Sequence, residues 1–247
     1  MIYQHRIASI GSFHLNHCED DTLCVSIGQD RLLLAVLDGC TMGDDSHFAA
    51  TLFARLLRKI AKHLYYQDYL TSQTPVLDLL MRELVGRLFE ELVQIKNSLQ
   101  LERNEILSTV LLAILDCHQQ AAVVFCLGDG VVQADGKMIL FDQENQPDYL
   151  AYHLGKSFDQ WYAQQDQCLT LSAIQDLSLC SDGILTFVDQ DGQELAEDQL
   201  AKVRRELLIE TEGLDNDRFL LKKLYRLEQA QGWTHTDDLG IVRVVID

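Results

Sequence analysis

The chain has 247 residues, 47% of them hydrophobic, with two prolines (Pro75 and Pro147) and no Gly/Ser-rich linker, repeat or low-complexity tract, which predicts one domain over residues 1–247. Twenty Lys and Arg against 38 Asp and Glu give a net charge of −18, a surface that repels phosphate backbones and argues against a nucleic-acid partner. Seven cysteines without a CxxC pair read as reduced thiols, and no apolar run reaches membrane-spanning or signal-peptide form, so the expectation is a cytoplasmic protein without a membrane partner.

In chain order, "TLCVSIG" and "RLLLAVLD" read as strands joined by a turn at Gly28-Gln29-Asp30. From Ser46 the period changes. Phe48, Leu52, Phe53, Leu56, Leu57, Ile60 and Leu64 recur at spacings of three and four, one face of an amphipathic helix over 46–64. Asp44, Asp45 or Ser46 is its expected cap. A second helix from Pro75 to about Leu99 buries Leu77, Leu80, Leu84, Leu88, Leu92 and Ile95. Four runs rich in Val, Ile and Leu follow: "ILSTVLLAILD", "AAVVFCLGDG", "VVQADG" and "KMILFD". Asp-Gly or Gln-Gln turns between them predict an antiparallel meander.

Residues 142–166 are polar and read as irregular. Then come "CLTLS", "LSLCSDGILTF", helices near 194–210 and 215–231, and a terminal strand in "DLGIVRVVID". The class is α+β. A four-layer α-β-β-α sandwich, two antiparallel sheets flanked by helix pairs, uses every apolar face, although the pattern alone also permits a single sheet.

A buried strand that delivers a carboxylate to its end needs a reason. Asp38 follows "RLLLAVL", Asp129 follows "FCLG" and Asp182 follows "LSLCS". Asp237 and Asp238 precede "LGIVRVV", and Glu19, Asp20 and Asp21 precede "TLCV". One Asp-Gly is ordinary turn chemistry. Five acidic strand termini are harder to dismiss, because neighbouring strand ends meet at one rim and carboxylates gathered there repel unless a cation sits among them. Oxygen-only donors favour Mg²⁺ or Mn²⁺.

The order of these motifs resembles the metal-dependent, type 2C protein serine/threonine phosphatase family, from about Ile10 to Ile246. "CEDDTLCV", "LAVLDGCTMG", "ILSTVLLAIL", "FCLGDGVVQ", "LSLCSDGILTF" and "TDDLGIVRVV" are similar to six of its motifs in order, and Asn145–Gly155 resembles a segment of some bacterial members. The resemblance implies the β-sandwich with helix pairs and two Mn²⁺ or Mg²⁺ ions. It implies that Asp38 bridges the ions, that the Gly39 carbonyl binds one, that Asp182 and Asp237 complete the first, and that Glu19 supports the second. Asp20 is the neighbouring acid, Asp129 matches an acid of a third, weaker ion, and Asp238 is expected to point away. The activity implied is hydrolysis of phosphomonoesters on Ser and Thr of phosphoproteins by a metal-bridging hydroxide, without a covalent intermediate. A paired Ser/Thr kinase is the other partner implied.

Three positions depart from the family pattern. Leu15 stands where the family has a phosphate-gripping Arg, Cys40 where it has a proton-donating His, and Thr186 where it has a further acid. His14, His17 and His47 are candidates to replace the missing groups, although surface or structural roles are commoner for each. Two alternatives from other classes are an inactive pseudo-phosphatase serving as a binding or regulatory module, and a structural metal-binding domain without substrate.

Overall fold

The structure, a computed structural model, describes residues 1–40, 43, 46–70, 75–143 and 148–247. The first strands are β1 (Ile2–Ser9), β2 (Asp20–Ser26) and β3 (Arg31–Asp38), followed by helices α1 (Ser46–Leu70) and α2 (Leu77–Leu99). Next come β4 (Val110–Asp116), β5 (Ala121–Leu127), β6 (Gly130–Ala134) and β7 (Lys137–Phe141), then the short helix α3 (Phe158–Tyr162). β8 (Cys168–Ser172), β9 (Asp176–Cys180) and β10 (Phe187–Val188) lead to α4 (Glu197–Leu208) and α5 (Phe219–Gln231). β11 (Thr234–His235) and β12 (Leu239–Ile246) close the chain.

Two five-stranded antiparallel sheets carry the fold, in the orders β1-β12-β9-β6-β7 and β2-β3-β4-β5-β8. β3 and β4 are apolar at nearly every position because both their faces are covered. Leu33, Ala35 and Leu37 of β3 pack under α1 and α2. Leu32, Leu34 and Val36 face the other sheet, against Leu177, Leu179, Val242 and Val244. The outer face of that second sheet takes α4 and α5 through Val203, Leu207, Phe219 and Leu227. The result is the expected four-layer α-β-β-α sandwich. α1 and α2 run antiparallel, held at their surface by Lys59 on Glu91 (2.6 Å) and Arg87 on Gln67 (3.1 Å). No helix among the described residues is long and apolar enough to cross a membrane.

Several expectations are corrected. β1 has no counterpart in the pattern reading, because its buried face carries His5 among otherwise half-exposed residues; it pairs with β12 along its whole length. The supposed meander is divided. β4 and β5 pair in one sheet and β6 and β7 in the other, so the chain changes sheets at Gly128-Asp129. Residues 148–166 are not simply irregular, since a 3₁₀ turn at Leu150–Tyr152 and α3 bury Tyr149, Leu150 and Trp161 beneath α2. α1 continues six residues past Leu64, with Tyr66, Tyr69 and Leu70 exposed. Ser46 is its first residue, while the proposed caps Asp44 and Asp45, Pro147 and the start of the Asn145–Gly155 segment lie outside the described residues.

A polar row crosses the sheet beneath α4 and α5: His5, Arg243, Ser178 and Gln133 stand opposite one another on β1, β12, β9 and β6. Arg243, fully buried, donates to both Asp176 oxygens (3.0 and 2.6 Å) and to the carbonyls of Leu207, Ile209 and Glu210 at the end of α4.

Candidate metal centre

The acids named above come from both sheets. β2 and β3 pair with Asp20 directly opposite Asp38, so the start of one strand and the end of the next lie at one rim. In the other sheet, Asp182 opens the 3₁₀ turn Asp182–Leu185 just after β9, and Asp237 just precedes β12, the neighbour of β9. One hydroxyl joins the two groups: Ser181 Oγ donates to Asp20 Oδ2 (2.7 Å) and accepts from Gly240 N (2.9 Å).

Two glycines allow this approach. A Cβ on Gly39 would lie 2.1 Å from the Ser46 carbonyl oxygen, and one on Gly183 would lie 2.0 Å from that of Asp238. No side chain fits either space, so the Asp-Gly pairs serve close backbone packing rather than positive φ.

The gathered carboxylates are hard to ionise. Burial, then the charges of Asp20, Asp182 and Asp237, push Asp38 well above the usual carboxylate range. Burial lifts Asp20 to about 7 against the opposing Ser181 hydrogen bond, with the charge of Asp238 adding to the rise. Burial, with Asp237 and Asp129 nearby, brings Asp182 to about 6. Asp129 is raised by burial, and its Oδ1 accepts the Gln143 N–H (2.7 Å).

The remaining residues fall around this core. Asp238 is spent on backbone: its carboxylate accepts the N–H groups of Gly11 (2.7 Å) and Glu19. Gly39 bridges to Ser108, and its N–H donates to the Glu19 carbonyl (3.0 Å). Leu15 is 91% exposed. Thr186 Oγ1 accepts the Asp237 N–H (3.2 Å) and donates to the Gly183 carbonyl (3.0 Å), so this threonine ties the Asp182 and Asp237 segments together. The rings of His17 and His47 stack at 4.6 Å. His14 reaches the acids directly, with Nε2 3.1 Å from Asp237 Oδ1 and Nδ1 3.6 Å from Glu19 Oε1. Sequence reasoning missed Ser181, for which "CSDG" offers no distinguishing signal.

Among the described residues, no group of three or more His, Cys, Asp or Glu side chains stands close enough together to hold a metal ion as placed. The donor set nevertheless fits a hard divalent cation. It consists of oxygen donors, of which Asp20, Asp38 and Asp182 are held above the usual carboxylate range by burial and then by neighbouring charge, and Asp20 Oδ1 is buried without a hydrogen-bond partner. A separate groove of about 580 Å³ on the outer helical layer, lined by His63, Arg82, Glu83, Arg87, Phe158 and Asp159 among others, contains none of these acids. Two ion pairs lie within it, Arg82 on Asp159 (2.5 Å) and Arg87 on Glu83 (2.8 Å).

A family model described as Protein phosphatase 2C matches residues 12–218. Among solved structures, the chain is similar to the PP2C phosphatase domain of SpoIIE from Bacillus subtilis, solved with a fragment of its regulatory domain, at 15% identity and a TM-score of 0.61. That match covers 100% of this chain and 64% of the other, so the chain spans less than two thirds of that relative. Similar too are the serine/threonine phosphatase Stp1 from Staphylococcus aureus (13% identity, TM-score 0.62, 100% and 96% covered) and RsbX in complex with magnesium (12%, 0.55, 100% and 94%). No curated protein matches. The structural likenesses at these identities establish the shared fold, and the family match takes in Glu19, Asp20, Asp38, Asp129 and Asp182, well over half of the sequence: the chain belongs to the protein phosphatase 2C family.

Proposed function

We propose that the protein hydrolyses phosphoserine and phosphothreonine in protein substrates, at a centre of two Mn²⁺ or Mg²⁺ ions. Asp38, Asp182 and Asp237 hold the ions, with the Gly39 carbonyl and Glu19 as further donors and Asp20 behind Asp38. Bound there, the ions supply an acidified water and neutralise charge on the phosphoryl oxygens. The observation that carries this reading is the convergence of Asp20, Asp38 and Asp182 from both sheets, with all three carboxyls pushed above their ordinary range.

Cys18 and Cys180 do not offer an alternative nucleophile. Burial and the surrounding acids push Cys18 up to about 12 and Cys180 well up as well, so both stay protonated at neutral pH. Leu15, directed to solvent, cannot grip a phosphate, and the thiol of Cys40 is a weak donor to a leaving group. Aryl phosphates, whose leaving groups need little protonation, should therefore be hydrolysed better than alkyl ones.

The test is hydrolysis of an aryl phosphate and of a phosphothreonine peptide, each with Mn²⁺ and with a chelator. Mn²⁺-dependent turnover, faster on the aryl ester, is expected. Turnover indifferent to chelator defeats the mechanism. The outward Leu15 also favours a second reading, a pseudo-phosphatase acting as a binding module, and Mn²⁺ binding without hydrolysis of either substrate would select it.

A further inference from the structure

We infer that His14 supplies a nitrogen donor to the metal centre. The inference rests on the metal-centre reading above.

The segment carrying His14 is held in place from both sides. Gly11 N donates to Asp238 Oδ1 (2.7 Å), Ser12 N to the His235 carbonyl (3.1 Å) and Phe13 N to the Thr236 carbonyl (3.0 Å). His14 N closes the turn on the Gly11 carbonyl (3.1 Å). Residues 11–14 are thus fastened to the strand start that delivers Asp237. Their burial is inverted. Phe13 is 80% exposed and Leu15 91%, while the His14 side chain between them is only 13% exposed. A loop free to bury its apolar side chains would gain by turning Phe13 inward. This one turns the imidazole inward, among acids.

Both ring nitrogens face carboxylates. Nε2 lies 3.1 Å from Asp237 Oδ1, while Nδ1 lies 3.6 Å from Glu19 Oε1 and 3.7 Å from Asp238 Oδ2. Asp238 is committed to backbone N–H groups, and Asp237 Oδ1 also accepts the Asp238 N–H (2.8 Å). The ring therefore occupies the gap between Asp237 and Glu19, the acids assigned to the two ions. Adjacent donors on one ion, each near 2.1 Å from it, stand about 3.0 Å apart. The His14–Asp237 pair is already at that separation, so an ion can take the place of the proton that the two atoms now share. Carboxylates and water suit Mg²⁺ and Mn²⁺ alike, and an imidazole nitrogen adds one softer donor to that oxygen set.

The test reads the metal rather than turnover. Full-length protein loaded with Mn²⁺ would be examined by pulsed electron paramagnetic resonance, with histidine at natural abundance and then labelled with ¹⁵N. A ¹⁴N modulation that changes on labelling, and is lost in His14→Gln, is the expected result. Calorimetric titration should show His14→Gln weakening Mn²⁺ binding by about tenfold or more. Bound Mn²⁺ without nitrogen modulation in the wild type overturns the inference and leaves the metal-centre reading intact. Modulation that persists in His14→Gln assigns the donor to another imidazole, such as His17 or His47, and also overturns it. No Mn²⁺ binding at all removes both readings. The labelled wild type gives its answer even if the variant fails to fold.

Discussion

At the scale of single residues, Asp38 separates turn chemistry from metal chemistry. Asp38→Asn keeps the shape and removes the charge proposed to be shared by two ions. Mn²⁺ affinity should fall and Mn²⁺-dependent hydrolysis should drop more than tenfold, equivalent to over about 1.4 kcal/mol of barrier. Circular dichroism should show the fold intact, because the metal-free carboxyl already resists ionisation among Asp20, Asp182 and Asp237. An unchanged Mn²⁺ affinity would return Asp38 to a turn role. The pH dependence has a definite sign. Asp20 titrates near 7 and Asp182 near 6, both above 3.8, so the metal-free centre holds protons at pH 5.5 that it lacks at pH 8. Ions must displace those protons, so Mn²⁺ affinity should weaken as pH falls through this window. Titration calorimetry at pH 5.5 and 8 measures it, and an equal affinity at both would contradict the raised pKa values. The positions of Asp38, Asp182 and Asp237 were legible because each terminates or opens an apolar run. The role of Thr186 was not, since its hydrogen bonds join segments distant in the sequence.

Elements were legible where one face is apolar and the other is not. α2 is an example, its buried residues spaced by three and four from Leu77 to Leu92. β1 escaped because its buried position is His5, whose Nε2 lies 2.9 Å from the Leu214 carbonyl and whose ring packs on Phe219. The division of the meander escaped because the Gly-Asp-Gly run after Leu127 reads as a turn within one sheet, whereas the chain changes sheets at Gly128-Asp129. Arg243 gives the sharpest test at this scale. Its guanidinium gathers three carbonyls at the end of α4 and neutralises Asp176. Arg243→Ala leaves that acid buried and unpaired, and should destabilise the protein by about 3–5 kcal/mol in urea unfolding. Replacing both partners, Arg243→Met with Asp176→Leu, should recover most of the loss. A single variant as stable as the wild type would mean that α4 is anchored by Val203 and Leu207 alone.

Across the whole molecule, the charge of −18 acts over distances that no pair contact reaches. A phosphopeptide flanked by Lys and Arg should have a lower KM than one flanked by Asp and Glu. The difference should shrink as ionic strength rises from about 0.02 to 0.2 M, where the screening length falls below about 10 Å. A gap that ignores salt would point to local contacts instead. The general architecture could be read from the sequence, while the way the sheets meet could not. The Ser181 hydroxyl reaching Asp20 shows that the two sheets touch at the rim where the acids gather. An ion held by Asp38 from one sheet and by Asp182 and Asp237 from the other is then a clasp between the halves of the sandwich. Free Mn²⁺ at about a hundred times its dissociation constant would add about 2.7 kcal/mol to folding, whether or not any phosphate is ever cleaved. In a chain of this size that is a rise in Tm of roughly 5–11 °C. A chain of this fold without hydrolysis would still be under selection to keep these carboxylates, because they would remain its fastening.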